Sequence, residues 1–222
     1  MCGKCESCLR MIRAFSSLGM NLPVSLQNRS GGWSKVLIHV AQQPIHYDGR
    51  QLSSLFGFRN FGLQGDSVIC FRGSCQVALT EMVDLADVRQ NAPIYSEDML
   101  HFIIEHFDMD LEKTVVRQRL LMAVIKEIIE SRTGISLRRK GDDLYRGEGK
   151  LSVSIATASP VSTMIHTGLN ISSRNTPVQT VGLADLGIPP ADSLSLGEII
   201  ARAYGAEMTG IRLARCKVRG VS

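Results

Sequence analysis

The stretch that most constrains this chain runs from Lys140 to Ile171. Leu151, Val153 and Ile155 alternate with Ser152 and Ser154, and Ile165, Leu169 and Ile171 alternate with His166, Gly168 and Asn170. Period-two alternation marks strands whose side chains point to opposite faces of a sheet. The segment therefore reads as two antiparallel strands preceded by an acidic turn, Lys140-Gly141-Asp142-Asp143. If the strands pair, Lys150, Ser152, Ser154, His166, Gly168 and Asn170 share one polar face. Glycine on such a face lets a ligand approach the backbone closely. A solvated sheet face closed by a Gly-rich hairpin explains the same alternation without any ligand.

The same residues resemble the biotin and lipoate protein ligases. Lys140-Gly141-Asp142-Asp143, Gly149-Lys150-Leu151-Ser152 and Gly168-Leu169-Asn170 follow the order and approximate spacing of those families' segments. The likeness covers about thirty residues, and its specificity lies in the ordered set rather than in any one piece. Residues 36 to about 190 also resemble an uncharacterised prokaryotic family, domain of unknown function 366. What the resemblance implies is an α+β fold, a mixed or antiparallel sheet packed with helices, of the ligase and class II synthetase type.

It also implies a chemistry. Such ligases activate a carboxylate with a nucleoside triphosphate, so two anions must meet, and a fixed lysine stabilises the charge that builds up. By position that role falls to Lys150, with Asp143 as the acidic residue that holds Mg²⁺ through oxygen ligands. Asp142 stands where the families have Asn, and Asn170 is placed to bond ribose or base. The implied cofactors are ATP and Mg²⁺. Three departures bear on the ligand. Val153 replaces a glycine, Ser154 replaces Ile, Leu or Ala, and there is no upstream Gly-Arg-Gly-Arg loop. The nearest substitute is Phe71-Arg72-Gly73-Ser74, where Arg72 could meet a phosphate or carboxylate. Arg138, Arg139 and Lys140 form a basic run before the acidic turn, positioned to meet Asp142, Asp143 or a phosphate. Alternation lets either Arg139 or its neighbour Lys140 face the site, not both.

At the start, Cys2, Cys5 and Cys8 have C-x₂-C-x₂-C spacing, which can bind one tetrahedral metal. Structural Zn²⁺ takes four ligands, so Zn²⁺ is expected here only if a fourth is supplied. The segment Cys2 to Gly19 is similar to the end of 7-cyano-7-deazaguanine synthase. That likeness implies that residues 1–25 are the tail of a synthase whose body is missing, with a 7-deazaguanine-type ligand or a deazaguanine synthase as partner. Three unligated thiols or a redox pair are the alternative readings of the spacing. Six cysteines in 222 residues, with no secretory leader read at Met1, point to a reducing cytoplasm.

Hydrophobic content of 44% and charged content of 21% are ordinary for folded domains, and no apolar run is long enough to span a bilayer. A net charge of +4 permits an anionic ligand without calling for nucleic acid or a membrane. The expected organisation is a cysteine tail over 1–25, a linker over 26–34, the α+β domain over 35–190, and an amphipathic helix with a basic tail over 191–222. Strands are expected at 35–40, 66–71, 135–139 and 178–181, with Val77–Leu79 extending the sheet. Helices are expected after Asp48, from Ser96 to Phe107 with Ser96 as cap, and from Lys113 to Arg132 with Gly134 at its end. The long helix should bury Val116, Leu120, Leu121, Val124, Ile128 and Ile129. On the Ser96 helix, His101 and Glu105 would stand one turn apart, a metal-binding spacing that core packing explains better. Glu81, Asp84 and Asp87 could supply a metal or amine contact, although a turn and helix cap is the commoner use of such acids. No G-x-S-x-G, P-loop or HExxH motif is present. The functional expectation is an adenylate-forming ligase acting on a small carboxylate. The alternatives are a non-catalytic nucleotide- or deazaguanine-binding module and an accessory remnant of a synthase fusion.

Overall fold

The computed structural model describes residues 35–91 and 94–221. Its centre is a five-stranded sheet in the order β1 (Leu37–Val40), β2 (Ser67–Val77), β3 (Ile94–His106), β8 (Thr163–Asn170), β7 (Ser152–Ala158). β1 runs parallel to β2, and the remaining neighbours are antiparallel. A small meander, β4 (Arg138–Lys140), β5 (Asp143–Arg146) and β6 (Gly149–Lys150), stands beside the β7 edge.

One sheet face carries Val68, Cys70, Leu100, Phe102, Ile104, Ile165 and Leu169. Two long helices cover it, α3 (Leu111–Thr133) and α4 (Ser193–Ala214). α3 is set by its ends. Asp110 caps it by accepting from Lys113 N at 2.9 Å, and Gly134 closes it at φ 70°. Its apolar stripe is Leu121, Met122, Val124, Ile125 and Ile129. Val116 was expected on that stripe and is instead exposed, because Gln118, two residues on and so on the opposite side of the helix, faces the sheet edge. α4 lays Leu196, Ile200, Tyr204 and Met208 into the same core, so 193–214 packs with the sheet.

The second face is covered by the chain before β2. Residues 45–47 run alongside β2, with Ile45 N bonding Arg72 O and Tyr47 N bonding Ser74 O. That passage needs Gly73, since a Cβ there would lie 1.9 Å from the Ile45 carbonyl oxygen. Asp48 was expected to cap a helix. It closes a turn by accepting from Arg50 N, and helix α1 (Phe56–Phe61) starts only later, with Leu55 N bonded to Glu105. A 3-10 turn (Leu79–Glu81) and α2 (Leu85–Gln90) follow β2, and Asp84 caps α2 through Ala86 N.

Two larger expectations change. Residues 96–107 are not a helix. Ile94–His106 is the central strand, buried on both sides from Met99 to His106, so its apolar residues fall on both faces, as in a doubly covered strand. Residues 178–181 form no strand of their own; they touch β6 through one bridge, Lys150 to Thr180.

Candidate functional site

A cavity of about 550 Å³ opens on the second face. Its floor comes from Met99, His166 and Asn170, one wall from the 3-10 turn and α2, another from the Asp142–Lys150 meander, and a third from Thr176–Thr180. The meander places the two residues expected to carry chemistry. Lys150 Nζ lies 3.0 Å from Asp143 Oδ2, and both side chains are about a quarter exposed. Tyr145, paired with Lys150 across β5 and β6, donates its hydroxyl to the same carboxylate oxygen. Lys150 is held from behind, since its N and O bond Gln179 and Val181 and its O accepts from Asn170 Nδ2 at 3.2 Å. Asn170 thus fixes the backbone that carries the lysine.

The expected polar face is split by register. Ser152 pairs with Leu169 and Ser154 with Thr167, whereas Gly168 pairs with Val153 and His166 with Ile155. Directly paired residues share a face, so the two serines lie on the helix side and His166 and Gly168 on the cavity side. A one-residue slip in register exchanges the faces of a whole strand. The serine hydroxyls are engaged within the fold, Ser152 accepting from Leu144 N and Ser154 from Gln118. Both residues still line the cavity, which meets the β7 edge from both sides. Gln118 also donates to Asp142, tying the acidic turn to α3.

Three basic candidates lie elsewhere. Arg72 points to the helix side, its guanidinium bidentate to Asp98 and bonded to Pro190 O. Arg139 folds onto Gly141 O, and Lys140 is exposed. Cys2, Cys5 and Cys8 lie outside the described residues.

Asp87, one of the three acids weighed as a metal or amine contact, faces Asp143 and Lys150 from α2; its carboxyl is pushed up by partial burial and by neighbouring Asp84. Further residues were not singled out for this cavity. Under the floor, His101 Nδ1 lies 3.1 Å from His166 Nε2, and His101 Nε2 lies 3.3 Å from Gly73 O. Tyr47 stacks on His166 at 3.8 Å and 11°. Burial holds both histidines well below the ordinary imidazole range. Ser96 lines the wall, and among the described residues its buried hydroxyl has no partner.

The fold, a mixed sheet with two long helices on one face, is like that of solved lipoate protein ligase-like structures. Protein Ta0514 from T. acidophilum, provisionally described as a lipoate protein ligase, superposes with TM-score 0.55 at 13% identity, over 79% of this chain and 86% of that one. At that identity the likeness is one of fold alone. Residues 36–219 match the family described as Domain of unknown function (DUF366), and the chain belongs to that family. Two similar proteins are an uncharacterised protein, MJ0805, of Methanocaldococcus jannaschii and a protein of unknown function from Pyrococcus horikoshi. The first is 43% identical over 156 residues, 68% of this chain and 70% of that one. The second superposes with TM-score 0.78 at 40% identity, over 85% of this chain and all of the other. A separate stretch of 23 residues is 87% identical to 7-cyano-7-deazaguanine synthase of Desulforamulus reducens, 10% of either chain. No described helix is long and apolar enough to cross a membrane.

Proposed function

We propose that this cavity binds ATP with Mg²⁺ and activates a small carboxylic acid as its adenylate. The observation that carries the reading is the Lys150–Asp143 pair at 3.0 Å, held from behind by Asn170 at the mouth of a cavity. In the reaction a carboxylate oxygen bonds to the α-phosphorus and the bond to pyrophosphate breaks, so negative charge accumulates between two anions. Lys150, exchanging Asp143 for these oxygens, stabilises that charge. Asp143 and Asp87 are the oxygen donors placed to hold Mg²⁺. Mg²⁺ needs only one or two carboxylates when phosphates and water complete its octahedron, and the donors present fit that role.

The test is calorimetric binding of ATP with Mg²⁺, wild type against Lys150→Ala, with pyrophosphate release followed over a panel of carboxylates. Binding lost in the variant, with release for one acid, supports the reading. Binding that survives the loss of Lys150 overturns it. A second reading, a 7-deazaguanine-type base held without catalysis in company with a deazaguanine synthase, draws on the 23-residue likeness to that synthase. Binding of such a base without pyrophosphate release would favour it. For the cysteine tail, the matching proposal is Zn²⁺ at Cys2, Cys5 and Cys8 with a fourth ligand from elsewhere, tested by metal content of the purified protein.

A further inference from the structure

The two buried histidines have their tautomers fixed by the backbone. A carbonyl oxygen only accepts, so His101 Nε2 carries the hydrogen toward Gly73 O. A neutral imidazole has one N–H, which leaves His101 Nδ1 bare. His166 Nε2, 3.1 Å away, must therefore donate. Neutral His166 is then left with a bare Nδ1, and this is the ring nitrogen available to the cavity that His166 lines. Neither ring is placed to flip, since Tyr47 stacks on His166 and Phe71 lies 4.9 Å from His101. His166 is 4% exposed, so an acceptor at Nδ1 has little water to satisfy it.

The walls have the same polarity. Carboxylates line the cavity at Glu81, Asp84, Asp87, Asp142, Asp143 and Glu148, and among the described lining residues Lys150 is the one lysine or arginine. Buried Ser96 Oγ adds a hydroxyl without a partner. Lys150 sits beside Asn170, and His166 is four residues back along β8, roughly 13 Å at strand spacing.

We propose that the acid taken by this cavity is two-ended: its carboxylate goes to Lys150, and its far end carries an N–H donor that bonds His166 Nδ1. The inference rests on the ligase reading for the carboxylate end only. An ammonium and a neutral amide share the N–H, and the probes tell them apart.

The first measurement is long-range ¹⁵N–¹H NMR of the imidazoles of the whole chain, without nucleotide. Both rings should show Nε2–H and bare Nδ1, and an Nδ1–H on His166 overturns the proposal. The second compares octanoate, 8-aminooctanoate and suberic acid monoamide as probes. At least one of the amine and the amide should bind at least tenfold more tightly than octanoate and move the His166 Nδ1 resonance. Equal affinities for all three overturn it. In His166→Phe the preference over octanoate should vanish; should that variant not fold, the wild-type resonance shift decides alone. Absence of ATP binding in the wild type would sink the ligase reading and leave the N–H preference standing, so the two fail separately.

Discussion

At the scale of single residues, the histidine pair sets the response to acid. In the unfolded chain each imidazole titrates near 6.5, whereas in the fold burial holds both rings neutral to far lower pH. Below pH 6.5 the unfolded state therefore binds more protons. Stability present above 6.5 is lost as pH falls through the window beneath it, at up to about 1.4 kcal/mol per pH unit for each ring. The urea midpoint should fall steadily from pH 7 to pH 5, and a flat midpoint would refute the neutral pair. Two glycines separate packing from function at the same scale. Alanine at Gly73 meets the Ile45 carbonyl oxygen at 1.9 Å, a backbone atom that cannot swing aside. The expected loss is at or above about 3 kcal/mol, seen by denaturant unfolding. Alanine at Gly168 meets Met99 Cε at 2.8 Å, the end of a flexible chain. That change should cost only about 1 kcal/mol and show itself in ligand affinity instead.

At the scale of elements, what was legible in the sequence depended on whether local signals agreed with the tertiary setting. α3 was read to within two residues at either end because its stop signal is chemical and local, Gly134 in the left-handed region. Asp110, one residue before the helix, went unread as its cap. Alanine at Asp110 should cost about 1 kcal/mol in thermal or urea unfolding, and no change would mean that packing alone holds the helix start. β3 misled for the opposite reason. Ser96-Glu97-Asp98 imitates a helix start, and Met99 to Ile104 places apolar residues on both faces because both are covered. Its clue was compositional, a short apolar run with Ile103 and Ile104 side by side. The site divides in the same way. Lys150 and Asp143 were visible because a local hairpin joins them. The partnership of Tyr47, His101 and His166 was not, since it joins three distant segments across a register that alternation leaves open by one residue.

At the scale of the whole molecule, the cavity and the anchor of the last helix lie at opposite ends of β3. α4 comes so close to β2 that a Cβ on Gly197 would lie 2.3 Å from Cys70 Sγ. It is also pinned by a polar chain. Tyr204 Oη lies 2.8 Å from His106 Nε2, His106 Nδ1 lies 3.1 Å from Asp66, and Arg212 bonds the same carboxylate. Burial works against the Asp66 anion, but the His106 ring, the Phe107 N–H and Arg212 together hold it well below the usual carboxylate range. Tyr204→Phe keeps the ring and removes the hydroxyl, leaving His106 Nε2 buried without its partner. The expected loss is about 1–3 kcal/mol in urea unfolding. His106 is seven residues from Met99 at the cavity floor, roughly 23 Å along the strand, and sites so far apart without shared partners act additively. Nucleotide and amine-probe affinities of Tyr204→Phe, measured where it is fully folded, should therefore match wild type. An affinity that falls together with stability would instead mean that β3 transmits the state of the α4 anchor to the cavity floor.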